Sequence, residues 1–326
     1  MLIPKENEKD LIYSLIFDEY EIFKEIISCN KINFTRIVSI IGLNRIEYFV
    51  LNKLNTTYRL NKLPKFFFEH LEKNYFKKSI PTLKIIEKVF LLSDKLQKSD
   101  LEHVFLKGIS LHDQNSFFIR GMRDIDILIN TRDITQVVDL AMSLGFNFVN
   151  KDTDLSNSNY IESPFYDLPL MADGNGVFLE IHFRITKDNI NCLLKESIFE
   201  SKRLAKIHGK NIYVPCHNSL FTHLVFHASK KGNFDVGLIA LVDLLQLSDS
   251  VDKNEVLRIS ELIKIKKVSK LFFELIEFSK DRKFLLSKDA ENLKEILIFP
   301  PLNFKITDIF KEKNTFKKLI KLKEVF

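Results

Sequence analysis

The sequence predicts an α+β protein: a small mixed β-sheet with flanking helices, set between N- and C-terminal helical regions. Three observations predict it. Apolar residues recur at helical spacing through the first hundred positions, two runs at 124–129 and 177–185 alternate with period two, and helical spacing then returns. The expected organisation is a helical region at 1–100, a sheet-bearing core at 101–212 and a helical domain at 213–326. A chain of 326 residues is long enough to bury such a core.

Leu11 to Ser28 carries Leu11, Leu15, Ile16, Tyr20, Phe23, Ile26 and Ile27 at helical spacing, and Asn33 to Leu54 repeats the pattern. Pro64 and Pro81 stand at helix starts, which predicts separate helices at 65–79 and 81–98 with Phe67, Leu71, Phe76, Leu83, Ile86 and Leu91 inward. Val104-Phe105-Leu106 reads as a short buried strand broken by Lys107-Gly108, with Ser110 placed to cap a following helix. Beyond the strand at 124–129, Asp133 to Leu144 is an expected helix closed by Gly145, and Phe146 to Val149 another strand. The polar, turn-rich stretch that follows, as far as Pro169, reads as a loop able to gate a site.

Helices are then expected over Asn218 to Lys231, Asp235 to Leu247, 254–280 and 286–298. Asp243 falls within an apolar helix, where burial demands a partner for its carboxylate. The basic, amphipathic tail from Lys311, with Phe316, Leu319 and Ile320, reads as a surface-packing helix.

Composition excludes several classes. The three cysteines, Cys29, Cys192 and Cys216, have no CxxC spacing, so neither a zinc knuckle nor a disulfide framework is indicated, and a reducing cytoplasm fits. The N-terminal residues turn polar too soon for a signal peptide, and no run of eighteen apolar residues occurs, so no stable membrane association is expected. A net charge of +6 is compatible with a phosphate-bearing partner, but the lysines are scattered.

The chemistry concentrates in Phe105 to Ile129. On a strand Asp124-Ile125-Asp126-Ile127-Leu128-Ile129, the isoleucines take one face and both carboxylates the other. Two carboxylates about 7 Å apart repel unless a cation or solvent lies between them. Oxygen ligands of this kind suit a hard divalent ion, and Mg²⁺ is commonly held by one or two carboxylates together with substrate phosphates. The glycine turn at Gly108, followed by Ser110, lets backbone N–H groups approach an anion. Val177 to Ile185 alternates in the same way, with Glu180, His182 and Arg184 on one face, so Glu180 can join Asp124 and Asp126 if the strands are neighbours. His223 and His227 lie at i, i+4 on one expected helical face, but Leu224 stands where a zinc HExxH motif needs Glu.

In order, Lys107-Gly108-x-Ser110, Arg123-Asp124-x-Asp126 and Glu180-x-His182-x-Arg184 resemble the nucleotidyltransferase superfamily of DNA-polymerase-β-like fold. More narrowly the chain resembles the bacterial group called uncharacterised nucleotidyltransferases, in which "LLKG", "R..DIDLLV" and "E.HW.L" segments precede spaced histidines and an "LLDI"-like helix. Here these are matched by Phe105 to Gly108, Arg123 to Ile129, Glu180 to Ile185, His223 with His227, and Leu241 to Leu244, over roughly residues 35–280. Two departures stand out: Ile109 separates the usual Gly-Ser pair, and Phe183 replaces the common Trp.

The resemblance implies transfer of a nucleoside monophosphate from an NTP, ATP among the candidates, to an acceptor hydroxyl with release of pyrophosphate. Asp124, Asp126 and Glu180 would be catalytic and would bind Mg²⁺, with Mn²⁺ an alternative. Lys107, Gly108, Ser110 and Arg123 would bind the phosphates, with Arg120 a further cationic neighbour, while His182, Arg184, His223 and His227 would face the acceptor or support the site. RNA is slightly favoured as acceptor over a small molecule or a protein. The rival expectation is a non-catalytic nucleotide-binding regulatory or interaction protein, against which the intact carboxylate set speaks. Replacing one of the three acids is expected to preserve or raise stability by relieving like-charge repulsion.

Overall fold

The computed structural model describes residues 5–28, 32–56, 63–112, 120–150, 153, 167–185, 191–231, 234, 236–281 and 283–298. The tail from Lys311, Cys29, Asp235 and most of the stretch read as a gating loop lie outside the described residues. The chain divides into two compact units, one of Met1–Phe76 with Leu224–Phe326 and one of Lys77–His223.

The first unit is helical. Its N-terminal part contains α1 (Glu6–Ile16), α2 (Tyr20–Ser28), α3 (Phe34–Leu43) and α4 (Glu47–Thr56), so each long helical stretch expected in this region is two helices. The breaks come at Asp18 and Arg45, which take left-handed φ values of 64° and 57°. A residue there turns the chain sharply and ends the helical hydrogen-bond ladder. Side chains tie these helices to the later segment of the same unit. Asn44 accepts a hydrogen bond from the Leu238 backbone N–H at 2.8 Å, and the Tyr48 hydroxyl donates to Asp243 Oδ1 at 3.4 Å. The buried Asp243 thus has the partner its position requires.

A single helix, α5 (Lys65–Lys98), corrects the expectation of two helices meeting at Pro81. Proline inside a helix costs about 3 kcal/mol in a peptide, yet here the flanking residues are held by other contacts. Thr82 is fully buried, donates to the Lys78 carbonyl at 2.8 Å and accepts the Met122 N–H at 3.0 Å. The next turns bury Ile85, Ile86, Val89, Leu92 and Leu96. That register sets the inward face, so Phe76, Leu83 and Leu91 are exposed rather than inward.

The second unit carries the sheet. Its strands β1 (His103–Phe105), β2 (Asp124–Ile129), β3 (Asn147–Phe148), β4 (Met171–Ala172) and β5 (Phe178–His182) lie in the order β1-β2-β5-β4-β3. Among the described strands only the β2–β5 pair is parallel; β1–β2, β4–β5 and β3–β4 are antiparallel. The sheet is therefore mixed, and its one parallel pair joins the two strands that carry the acidic residues. Helix α6 (Ile134–Ser143) follows β2 and ends at Leu144, with Gly145 at φ 88° just beyond. A left-handed residue there lets the chain turn back into β3, and glycine meets no Cβ penalty in doing so.

One sheet face buries Ile125, Ile127, Ile129, Leu179, Ile181 and Phe183 in a core shared with α5, α6 and the hairpin β6 (Arg203–Ile207)–β7 (Lys210–Val214). The other face is only partly polar, because Leu128 is also fully buried. Helices α7 (Asn191–Glu200) and α8 (His217–Phe226) complete the unit up to His223. In the first unit the chain continues with a π-helical turn at His227–Lys231, then α9 (Leu238–Leu247), α10 (Lys253–Leu262), α11 (Lys266–Lys280) and α12 (Lys288–Leu297). The expected helix at 254–280 is interrupted at Lys264, where φ is 58°. No described helix is long and apolar enough to cross a membrane.

Candidate active site

The parallel pairing of β2 with β5 aligns Asp124 with Phe178, Asp126 with Glu180 and Leu128 with His182. Side chains at aligned positions of neighbouring strands share a face. Asp126, Glu180 and His182 accordingly offer ligand atoms that all lie within 4.8 Å of one another. Asp124 lies one pleat away on the same face of β2, outside this group of three.

Burial grades the group. The Asp126 side chain is 4% exposed and His182 5%, whereas Glu180 is 29% exposed. Asp126 Oδ1 receives both the Lys107 ammonium and the His182 imidazole Nε2, the latter at 2.9 Å. The same two groups approach Glu180 Oε2, Lys107 Nζ at 3.7 Å and His182 Nε2 at 3.5 Å. The acids therefore do not face each other bare.

The titration behaviour follows from this packing. Burial by itself favours the neutral acid at Asp126, but Lys107 and His182 outweigh it and hold the carboxyl well below its usual range. Glu180 is also lowered, mainly by its hydrogen bond with His182. Burial disfavours a charged imidazole at His182, yet hydrogen bonds to Asp126 and Glu180 raise its pKa above the ordinary value. Lys107 is likewise raised, because Asp126, Glu180 and Asp124 together overcome its desolvation.

Backbone geometry delivers Lys107 to this position. Leu106 donates its N–H to the Asp126 carbonyl at 2.9 Å, which continues the β1–β2 pairing up to the turn. Lys107 then adopts φ 51°, a left-handed conformation that few non-glycine residues hold. The strained residue is thus the lysine, and Gly108 is not in that region. Gly108 serves close packing: an added Cβ would stand 2.9 Å from both Arg120 Nη1 and Met122 Cγ.

The residues 107–111 form a 3-10 turn, and Ser110 lies inside it with its hydroxyl donating to the Phe105 carbonyl at 2.8 Å. Ser110 is fully buried with its hydroxyl on that internal carbonyl, and residues 113–119, where a helix capped by it was expected, lie outside the described residues. Arg123 is exposed just before β2, and Arg120 donates to the Gly121 carbonyl at 3.2 Å. Arg184, beyond the end of β5, lies over the Phe183 ring at 5.5 Å. His223 is buried near the end of α8 in the sheet-bearing unit, while His227 opens the π-helical turn of the other unit. The helix type changes from α to π at His227 itself.

Two features escaped sequence reasoning. His182 belongs beside the two carboxylates as a possible ligand; its i, i+2 spacing from Glu180 is the signal that pointed there. The pairing of Lys107 with Asp126 left no signal, since it depends on a left-handed φ. Two carboxylates and an imidazole within 4.8 Å, already compensated by a side-chain ammonium, form a donor set that fits a divalent cation.

A family model described as uncharacterised nucleotidyltransferase matches residues 30–277. No curated protein matches. Among solved structures, the chain is similar to the antibiotic-resistance factor ANT(2'')-Ia, with 12% identity, 59% of this chain and 95% of that chain covered, and a TM-score of 0.41. It is also similar to an antigenic nucleotidyltransferase-like protein from Paracoccidioides brasiliensis, with 13% identity, coverage of 63% and 94%, and a TM-score of 0.40. With its family model spanning the sheet, the acidic strands and much of the helical unit, the chain belongs to the uncharacterised nucleotidyltransferase family.

Proposed function

We propose that the protein is a Mg²⁺-dependent nucleotidyltransferase that moves a nucleoside monophosphate from an NTP to an acceptor hydroxyl. The observation that carries this reading is the parallel register placing Asp126 beside Glu180, with Asp124 on the same face of β2. Asp126 and Glu180 would hold the metal, with His182 adjoining and Asp124 at the start of the strand. When bound, the cation supplies charge neutralisation for the triphosphate and the departing pyrophosphate.

The acceptor oxygen attacks the α-phosphorus, its bond to the bridging oxygen of pyrophosphate breaks, and the hydroxyl proton passes to a carboxylate. Glu180 suits that role better than Asp126, because it is the more exposed of the pair and can meet an incoming hydroxyl. Lys107 and the exposed Arg123 would meet the phosphate oxygens, as phosphoryl chemistry requires positioned positive charge. Gly108 and Ser110 support the phosphate side through the shape of their turn, since the Ser110 hydroxyl is bonded within the protein.

RNA is the preferred acceptor within this proposal, on the net positive charge of the chain. Cytoplasmic placement belongs to the same proposal, on the spacing of the cysteines. The test is incubation with each α-labelled NTP, Mg²⁺ and, separately, total RNA, cell protein or a small-molecule extract. Label entering one fraction, and lost in the Glu180→Gln protein, supports transfer; no label in any fraction rejects it.

A further inference from the structure

The two oxygens that would hold a cation, Asp126 Oδ1 and Glu180 Oε2, are both engaged by Lys107 Nζ. Asp126 is buried, so water cannot take over the compensation of its charge. We infer that Lys107 is the built-in counter-cation of this site, and that a divalent metal and the Lys107 ammonium exclude each other between Asp126 and Glu180. This rests on the metal reading given above and adds a residue that sets how tightly the metal binds.

The geometry supports exclusion. An ammonium nitrogen directly on a carboxylate oxygen occupies the space that a cation coordinated to that oxygen needs. Two positive charges at that separation also repel strongly in a buried setting. His182 reaches the same oxygens, at 2.9 Å from Asp126 Oδ1 and 3.5 Å from Glu180 Oε2, but its imidazole, once neutral, can itself act as a ligand. Lys107 has no such second role toward a metal, because an ammonium has donors only. It must move away, and its chain is long enough to turn toward a bound triphosphate.

The backbone makes the arrangement specific. The Leu106–Asp126 hydrogen bond fixes the start of the turn, and the left-handed φ of Lys107 sends its side chain back across β2. An ordinary surface lysine would extend into solvent, where ordering its flexible stem is unfavourable. Here the side chain is 16% exposed. Metal affinity is thereby linked to the loss of an internal ion pair, so the site favours a cation that arrives with an NTP, whose phosphates can receive the released ammonium.

The test compares wild type, Lys107→Met and Lys107→Arg without nucleotide. Each is melted in chelator and then titrated with Mn²⁺, with binding read by the loss of the free-ion electron paramagnetic resonance signal. The Met protein is expected to melt several degrees lower in chelator, to bind Mn²⁺ at least ten-fold more tightly than wild type, and to regain melting temperature on Mn²⁺ addition. The Arg protein, with its charge retained, should stay near wild type in all three measurements.

Mn²⁺ binding by wild type that is equal to or tighter than binding by the Met protein overturns the inference while leaving the metal site standing. No Mn²⁺ binding by any of the three proteins overturns the metal reading, and the inference with it. If the Met protein does not fold, Lys107→Gln, whose amide can still donate to Asp126 without a charge, replaces it in the same comparison.

Discussion

Asp126 and Glu180 stand directly opposite each other on parallel strands, and one ammonium, that of Lys107, answers both. The sheet thus contains a pair of acids whose repulsion is already relieved in the absence of metal. This changes what their removal should do.

Asp126→Ala is expected to destabilise the protein as well as stop transfer. Repulsion between acids would have predicted a gain, but the carboxylate neutralises Lys107 and accepts from His182. Removing it leaves a buried ammonium without its main partner, a loss on the order of 3 kcal/mol. Chemical denaturation in chelator measures this, and a stability equal to wild type would show the pair to be energetically idle.

Glu180→Gln should separate chemistry from folding. The side chain is partly exposed, and an amide can keep a hydrogen bond to His182, so stability should change by no more than about 1 kcal/mol. Loss of the proton-accepting carboxylate should lower the transfer rate by about 10²-fold or more. Single-turnover assays beside thermal melting distinguish the two effects.

Pro81→Ala should stabilise the protein. Pro81 lies within the continuous helix α5 and is exposed, so alanine adds no clash and restores a backbone donor for the preceding turn. A gain of about 1 kcal/mol or more is expected from denaturant unfolding. Unchanged stability would mean that the helix has already adapted to the missing donor.

Acid should weaken the fold partly through His112. Burial first, then the Arg120 charge, pulls its pKa down to about 4, against a backbone hydrogen bond with the Arg120 carbonyl at 3.0 Å that acts the other way. The imidazole is then neutral when folded and takes up a proton more readily when unfolded. Its contribution is fully present above the unfolded value near 6.5 and is lost as pH falls from there toward 4. The loss is on the order of 3 kcal/mol. Melting temperatures between pH 7 and 4.5 should fall less steeply in His112→Gln than in wild type.

The acidic strands were legible because period-two alternation is a local property. In Asp124 to Ile129 and Val177 to Ile185, each side chain's face follows from its position parity, and the isoleucines and phenylalanine at 183 fall into the core as that parity requires. The helix after β2 was legible for the same reason, with Val137, Val138 and Ala141 inward and Gly145 at its end. The helix through Pro81 was not, because a proline is locally a helix start and only Thr82 and the core-facing residues beyond it keep the helix intact.

What the sequence by itself determined is the kind of chemistry: two alternating strands bearing acids, in an order that places the chain in its family. Only the tertiary structure decided which acids meet. Parallel register pairs Asp126, rather than Asp124, with Glu180, and brings His182 beside both. It also turned Lys107 from a nearby cation into their direct partner. Register and a left-handed φ depend on contacts between segments distant in the chain, so no local pattern of residues encodes them.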